Sequence, residues 1–169
     1  YKKLEPGELL IINTLNELKI EKTQYWSPSK SYNNSEPKKK LQQVVKESED
    51  ILDKIISEQI NSDVNLGSFL SGGYDSTLIS FLAAKHSSKQ IQTFSIGYEN
   101  QIDESSHAKK ISRIIRSKHE NIIIKPNDIS DNISKIISVY DEPFSDISQI
   151  PTFLLCQFAK KSVTVALSG

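Results

Sequence analysis

Hydrophobic residues near the start of the chain fall in two short extended runs. Residues 9–12 (LLII) and 18–23 (LKIEKT) flank a short segment, residues 14–17, and this arrangement predicts a β-hairpin. A two-stranded hairpin is marginally stable in water, so we expect it to pack against another part of the protein. Residues 27–37 (SPSKSYNNSEP) are rich in Ser, Asn and Pro and predict a linker.

From residue 38 the pattern changes to an alternation of helical and strand-length segments. The pattern predicts helices over residues 41–56, 78–83, 103–115, 129–140 and 152–161. The strand-length runs are 67–70, 91–96, 122–124 and 163–167. This alternation predicts the α/β class, a doubly wound parallel sheet of four strands that is covered by helices.

Two local features refine this expectation. The β-branched run 122–124 (III) is typical of a strand that is buried on both faces of a parallel sheet. Asn127 or Asp128 follows it, and either side chain is a good N-cap for the next helix.

Composition and charge exclude several classes of protein. Lys and Arg together number 21, as do Asp and Glu, so the formal net charge is zero and we expect no nucleic-acid partner. No apolar run approaches the roughly 18–20 residues that span a bilayer, so we expect no membrane partner. Cys156 is the single cysteine, which favours a reducing compartment, the cytoplasm. We expect Cys156 to be a buried structural thiol.

The segment 71–76 (SGGYDS) carries the candidate chemistry. It follows a predicted buried strand and precedes a helix, and ligands of doubly wound sheets bind at the carboxyl ends of the strands. Gly72 and Gly73 permit a tight turn whose N–H groups converge on an oxyanion, and Ser71 and Ser76 add hydroxyl donors. Asp75 would repel a phosphate on its own, so its presence suggests a shared Mg²⁺. The alternative is an ordinary Gly-Gly turn with polar caps.

The same segment is similar to the SGGxDS loop of the ATP pyrophosphatases, and its surroundings narrow the resemblance. Segments 62–64, 93–97, 103–105, 140–144 and 163–169 resemble the asparagine synthetase family in the same order. Residues 4–7 and 25–26 resemble the end of that family's glutaminase domain. Tyr74 stands where the family usually has leucine.

The resemblance implies a division of the chain and an enzymatic function. Residues 1–26 would be the C-terminal remnant of a glutaminase domain, 27–37 a linker, and 38–169 the N-terminal part of an ATP-dependent synthetase domain. The implied enzyme is a ligase, a glutamine-hydrolysing asparagine synthetase with ATP and Mg²⁺ as cofactors. It adenylates the aspartate side chain, releases pyrophosphate and transfers ammonia from glutamine.

The resemblance also implies the residues of an ATP site. They are Leu70, Ser71, Gly72, Gly73, Asp75, Ser76, Ile96, Ser168 and Gly169. In this expectation Leu70 and Ile96 line the adenine and ribose pocket, the loop holds pyrophosphate, and Asp75 is both the catalytic residue and the magnesium ligand.

Several expectations concern what the resemblance leaves open. The 169 residues do not include the family's later metal-binding segment, its catalytic lysine or its glutaminase nucleophile. We therefore expect the 169 residues alone to bind nucleotide weakly and to be inactive. Related enzymes act on other carboxylates, as in β-lactam closure or polysaccharide modification, and a non-catalytic nucleotide-binding module is a further alternative. The glutaminase domain is the expected intramolecular partner, and a homodimer is possible.

The remaining polar residues have competing interpretations. His107 is expected to be a solvated residue in the first turn of a helix, and His119 to have a surface or packing role. The acidic loop with Asp141, Glu142 and Asp146 either lies near the ammonium group of an amino-acid substrate or only ends a helix at Pro143.

Overall fold

The computed structural model describes residues 2–15, 18–31, 39–99, 105–140 and 145–169. The chain forms two compact units, Tyr1–Val44 and Val45–Gly169.

The first unit contains the predicted hairpin. Strands β1 (Glu8–Asn13) and β2 (Lys19–Gln24) pair antiparallel, with Glu8 opposite Gln24 and Asn13 opposite Lys19. The hairpin connection includes residues 16–17, which lie outside the described residues. Within the predicted linker, helix α1 (Pro28–Ser31) forms a single turn, and residues 32–38 lie outside the described residues.

Gly7 closes the base of the hairpin. Its φ is +72°, a conformation that favours glycine, and its carbonyl oxygen accepts hydrogen bonds from the backbone N–H groups of Tyr25 (2.9 Å) and Trp26 (3.3 Å). A Cβ at this position would collide with the carbonyl oxygen of Trp26. The chain on either side of the hairpin is therefore held together by backbone contacts.

The second unit is an α/β layer structure, as the alternating pattern predicted. Its elements follow helix α2 (Leu41–Gln59) in the order β3 (Leu66–Phe69), α3 (Tyr74–His86), β4 (Gln92–Tyr98), α4 (Ser105–Ile114), β5 (Lys118–Ile124), α5 (Pro126–Val139), α6 (Gln149–Ala159) and β6 (Val165–Leu167). The four strands form one parallel sheet in the order β5-β4-β3-β6. Strand order therefore reverses beside β3, the position at which such sheets bind ligands.

Each face of the sheet has its own apolar cluster. On one face Ile56, Leu82, Ala83 and Ile91 are buried together. On the other face Phe94 packs with Ala159 and Val163, and its ring meets that of Phe158 edge-on at 6.0 Å. Gly67 makes this second cluster possible, because a Cβ there would lie 2.8 Å from the Phe94 ring.

Three local expectations were wrong. The run 122–124 is not buried on both faces, because β5 lies at the edge of the sheet and Ile123 is exposed. Neither Asn127 nor Asp128 is the N-cap of α5: the helix begins at Pro126, Lys125 is the N-cap, and Asp128 reaches back to accept the Lys125 backbone N–H (2.8 Å). Cys156 lies on an exposed face of α6 and is not a buried thiol.

Among the residues that the structure describes, no helix is both long enough and apolar enough to span a bilayer.

Candidate functional site

The loop 71–76 lies directly at the carboxyl end of β3, the strand beside which the sheet order reverses. Leu70 is fully buried, and its backbone N–H donates to the carbonyl oxygen of Phe94 at 2.8 Å. The chain then turns over residues 71–73 and enters α3 at Tyr74. Pairing with the neighbouring strand thus fixes the start of the loop, and the helix fixes its end.

Three residues of the loop are linked by an internal hydrogen-bond network. The Ser76 hydroxyl donates to the carbonyl oxygen of Gly73 (3.3 Å) and accepts the Ser71 backbone N–H (3.2 Å). The Ser71 and Ser76 hydroxyl oxygens are 2.8 Å apart, and the Ser71 oxygen accepts the Gly73 N–H at 3.2 Å. Either hydroxyl can be the donor in the Ser71–Ser76 pair. Both hydroxyls are therefore already oriented within the loop.

The two loop glycines have different conformations. Gly72 has φ +93°, and a Cβ there would lie 3.0 Å from His107 Cδ2 and 3.1 Å from the Ala108 nitrogen. Gly73 has φ −68°, caps α3, and would place a Cβ no closer than 3.4 Å to Ser71 Oγ. Glycine is therefore required by geometry at Gly72 but not at Gly73.

The first turn of α3 gives the loop its electrostatic character. The N–H groups of the first helical turn have no acceptor within the helix, and the positive end of the helix dipole lies there. Asp75 is in this turn, is exposed, and has no hydrogen-bond or ion-pair partner within the described residues. Its carboxylate is a hard oxygen ligand of the kind that Mg²⁺ takes from proteins alongside phosphate oxygens. The described residues contain no cluster of three or more acidic, His or Cys side chains that would form a complete metal site.

A cavity of about 390 Å³ opens beside this loop, between the ends of the strands and helix α6. Six of the nine predicted ATP-site residues line it: Leu70, Ser71, Ser76, Ile96, Ser168 and Gly169. The last of them approaches the loop closely, because a Cβ on Gly169 would lie 2.5 Å from the Ser76 nitrogen. Residues that are up to 99 positions apart in the sequence thus meet at one cavity.

The other three predicted residues lie elsewhere on the loop. Gly72 and Gly73 line a separate, largely apolar groove of about 590 Å³ between α3 and α4, together with Phe81 and Ile111. His107 also lines this groove and is exposed in the first turn of α4, as the sequence predicted. Asp75 lines neither the cavity nor the groove.

Part of the cavity wall was missed by the sequence analysis. Ser148, Pro151 and Leu155 contribute from α6 and its N-terminal side, and Phe94, Ser95 and Tyr98 contribute from β4. The β4 residues had a signal, because they flank the predicted Ile96 in the same strand. The α6 residues had none, because their position depends on long-range packing of that helix against the sheet.

The acidic loop is only partly described. Asp141 and Glu142 lie outside the described residues, and their role near a substrate ammonium group stays a prediction. Asp146 is exposed and accepts the Ser148 backbone N–H at 2.8 Å, and this hydrogen bond holds the pKa of the Asp146 carboxyl below its usual value. Asp146 therefore has a local structural role at the start of α6.

The part of the chain that matches a known family nearly coincides with the second compact unit of the fold. The sequence profile of the asparagine synthase family matches residues 47–169, most of the second unit and almost three quarters of the chain. The chain belongs to the asparagine synthase family.

Two relatives match nearly the whole chain. A Methanocaldococcus jannaschii protein assigned the name asparagine synthetase [glutamine-hydrolyzing] 2 is 36% identical over 168 residues, which are 99% of this chain and 32% of the relative. Asparagine synthetase [glutamine-hydrolyzing] 1 of Bacillus subtilis is 34% identical over 169 residues, 99% of this chain and 26% of the relative. The chain thus spans between a quarter and a third of the length of these relatives.

Among solved structures, the NMN synthetase of Francisella tularensis has a similar fold. The TM-score is 0.50 at 20% sequence identity, and the match covers 72% of this chain and 52% of the synthetase. At this identity the likeness concerns the fold alone.

Proposed function

We propose that this chain is the nucleotide-binding part of an ATP-dependent amide ligase, an asparagine synthetase that hydrolyses glutamine. The observation that carries the proposal is the meeting of the SGGYDS loop with Ile96, Ser168 and Gly169 at one cavity beyond the carboxyl ends of parallel strands. The names of the M. jannaschii and B. subtilis relatives supply the reaction class.

The adenosine moiety of ATP would occupy the cavity. Leu70 and Ile96 offer apolar surface to the base and ribose, and the volume of about 390 Å³ is in the usual range for small-molecule sites. Ser168 and Gly169 close the opposite side, where the absence of a side chain at Gly169 allows the backbone to approach the loop.

The phosphates would lie against the loop and the first turn of α3. Free N–H groups and the helix dipole favour an anion, and the Ser71 and Ser76 hydroxyls can turn from each other toward phosphate oxygens. Asp75 would hold Mg²⁺, which when bound neutralises charge on the phosphate oxygens. These groups together would make pyrophosphate a better leaving group.

The proposed reaction has two steps. A side-chain carboxylate oxygen of aspartate attacks the α-phosphorus of ATP, the bond to the β-phosphate oxygen breaks, and pyrophosphate leaves. Ammonia then attacks the carbonyl carbon of the aspartyl-adenylate, AMP leaves with the bonding electron pair, and the amide nitrogen loses a proton. The chain's own contribution is to hold the nucleotide and to stabilise charge on the departing pyrophosphate.

Ammonia would come from glutamine that is hydrolysed in a further domain. The hairpin of residues 1–26 would adjoin that domain. Ten of the twelve residues in β1 and β2 are exposed, as expected of strands that continue a larger β-structure.

The cytoplasm suits the single unpaired thiol of Cys156. Homodimer formation stays a prediction.

Exchange of labelled pyrophosphate into ATP tests the proposal on the intact protein. We expect exchange that requires both aspartate and Mg²⁺, that is lost in Asp75→Asn, and that persists in Asp50→Asn, a matched control on the exposed face of α2. Exchange with a different carboxylate only would keep the ligase class but replace aspartate as the substrate. ATP binding without exchange for any carboxylate would contradict the proposal and favour a non-catalytic module.

A further inference from the structure

The candidate nucleotide cavity lies between strand β4 and helix α6. Side chains alternate along a strand, so Phe94, Ile96 and Tyr98 share one face of β4. Phe94 packs against side chains of α6, and this helix therefore covers that face. Ile96 and Tyr98 line the cavity from the strand, and Pro151 and Leu155 line it from the helix. A ligand in the cavity would thus lie between the side chains of a strand and those of a helix.

Tyr98 stands at the end of β4, well beyond the point at which the phosphate loop leaves the sheet. The Leu70 N–H donates to the Phe94 carbonyl oxygen, so the loop 71–76 leaves the sheet beside Phe94. Tyr98 lies four residues further along β4, which is roughly 13 Å at the rise of an extended strand. A nucleotide with its phosphates on the loop and its length along β4 would therefore carry its base toward Tyr98.

Tyr98 also differs from the other aromatic residues that line the cavity. Phe94 is fully buried and Phe69 is partly buried, whereas Tyr98 is 37% exposed. Within the part of the chain that the structure describes, the Tyr98 hydroxyl has no hydrogen-bond partner. The Tyr98 ring is therefore available for contact with a ligand.

The remaining groups at the cavity favour an uncharged, planar ligand at this end. Among the described residues, no charged side chain lines the cavity. The Ser95 hydroxyl gives its proton to Asn121 Oδ1 at 2.8 Å, and the Ser71 and Ser76 hydroxyls bond to each other within the loop. Binding near the end of β4 therefore depends on apolar and aromatic surface more than on charge, which suits the neutral base of a nucleotide.

We propose that the ring of Tyr98 is the surface on which the adenine base stacks, with Ile96 extending the same apolar face. Offset stacking of two π systems adds binding energy beyond apolar burial, and it requires the ring but not the hydroxyl. Tyr98 thereby recognises the base, whereas the loop recognises the phosphates. This inference rests on the proposed function, because ATP is taken to be the ligand of the cavity.

Two substitutions of Tyr98 separate the ring from the hydroxyl and from apolar volume. Tyr98→Phe keeps the ring, whereas Tyr98→Leu keeps an apolar side chain without a π system. On the intact protein we expect Tyr98→Leu to raise the Kd for ATP with Mg²⁺ about tenfold, and Tyr98→Phe to change it by less than about twofold. Tyr25→Leu, the same change at an exposed tyrosine of the first unit, is the matched control and should leave the Kd unchanged. Isothermal titration calorimetry measures these affinities.

A ligand without a base shows where the loss of affinity arises. Tripolyphosphate with Mg²⁺ carries phosphate charge but nothing that can stack, so its Kd should be the same for the wild type and Tyr98→Leu. A second readout is the nuclear Overhauser effect between adenine H2 or H8 and the ring protons of Tyr98, which we expect in the wild type. If Tyr98→Leu does not fold, this measurement on the wild type still decides.

Equal ATP affinity of the wild type and Tyr98→Leu, an equal loss of tripolyphosphate binding in Tyr98→Leu, or the absence of a nuclear Overhauser effect between bound adenine and Tyr98 would each overturn the inference. None of these results would contradict ATP binding itself. A wild-type protein that does not bind ATP would instead refute the proposed function, and the inference with it.

Discussion

At the scale of single residues, the loop glycines differ in what they require. Gly72 has φ +93°, and a Cβ there would be crowded at 3.0–3.1 Å by His107 and Ala108, whereas Gly73 has φ −68° and a Cβ there would make only an ordinary contact, at 3.4 Å, with Ser71 Oγ. We expect Gly72→Ala to destabilise the protein by more than about 1 kcal/mol and to weaken ATP binding. Gly73→Ala should change the free energy of unfolding by less than about 1 kcal/mol. Urea unfolding and ATP titration of both variants measure these two effects. Equal losses of stability in Gly72→Ala and Gly73→Ala would contradict the difference expected between the two glycines.

A second residue-scale prediction concerns Asp53 on α2. Lys85 Nζ (2.6 Å) and His86 Nε2 (2.8 Å) both contact Asp53 Oδ1, and these hydrogen bonds, that of Lys85 first, hold the pKa of Asp53 below its ordinary value. A carboxyl whose pKa is lowered by folding stabilises the protein above its unfolded-state pKa, and that contribution is lost as the pH falls through the folded-state pKa.

Asp53→Asn should therefore make stability less sensitive to acid between about pH 5 and about pH 3. The measurement is the urea midpoint at several pH values. Asp63→Asn is the control, because Asp63 makes no ion pair within the described structure. An unchanged pH dependence in Asp53→Asn would show that the Lys85 and His86 contacts do not contribute.

At the scale of elements, β3 and α3 are joined by a buried pair of hydroxyls. Ser68 and Ser80 are both fully buried, and their oxygens are 2.8 Å apart. Either single change to Ala leaves one hydroxyl buried without a partner, at a cost of about 1–3 kcal/mol. The double variant should lose less stability than the sum of the single variants, as measured by urea unfolding in a double-mutant cycle. Additive losses would mean that the pair is not coupled.

The elements themselves were predictable to different degrees. Strand-length runs and helical periodicity identified the four parallel strands, because local hydrophobic pattern reflects burial. The run 122–124 did not reveal that β5 is an edge strand, since β-branched residues suit both central and edge positions. The start of α5 was misjudged because Pro126 pre-organises the first turn ahead of Asp128. Cys156 shows that a cysteine in an apolar helix need not face the core.

The candidate site was predictable where it depends on one loop and less so elsewhere. The segment 71–76 and its position after β3 follow from sequence, and the resemblance added Ile96, Ser168 and Gly169 to the same cavity. Helix α6 contributes Pro151 and Leu155 through tertiary packing, for which a local pattern holds no information. The contacts of His119 with Thr93 (3.0 Å) and Ser95 (3.2 Å) on the neighbouring strand depend on the strand register, which a single sequence does not fix.

At the scale of the whole molecule, the two compact units should differ in stability. The hairpin strands are largely exposed, whereas the second unit has apolar clusters on both faces of its sheet. Trp26 is the single tryptophan and lies in the first unit, so its fluorescence reports on that unit alone. For the 169-residue chain we expect the Trp26 transition at lower urea than the loss of helical circular dichroism. Coincident transitions would show that the units unfold together.

ATP is proposed to bind at the carboxyl end of β3, and the amide groups of glycines report on this binding directly. The six glycines include Gly72 and Gly73 in the loop, Gly169 at the cavity, and Gly7 in the first unit as an internal control. We would titrate the ¹⁵N-labelled chain with ATP and Mg²⁺ and follow these amide resonances. We expect saturable shifts at Gly72, Gly73 and Gly169, none at Gly7, and a weaker response in Asp75→Asn. Shifts confined to other parts of the chain, or no shifts at millimolar ATP, would contradict it.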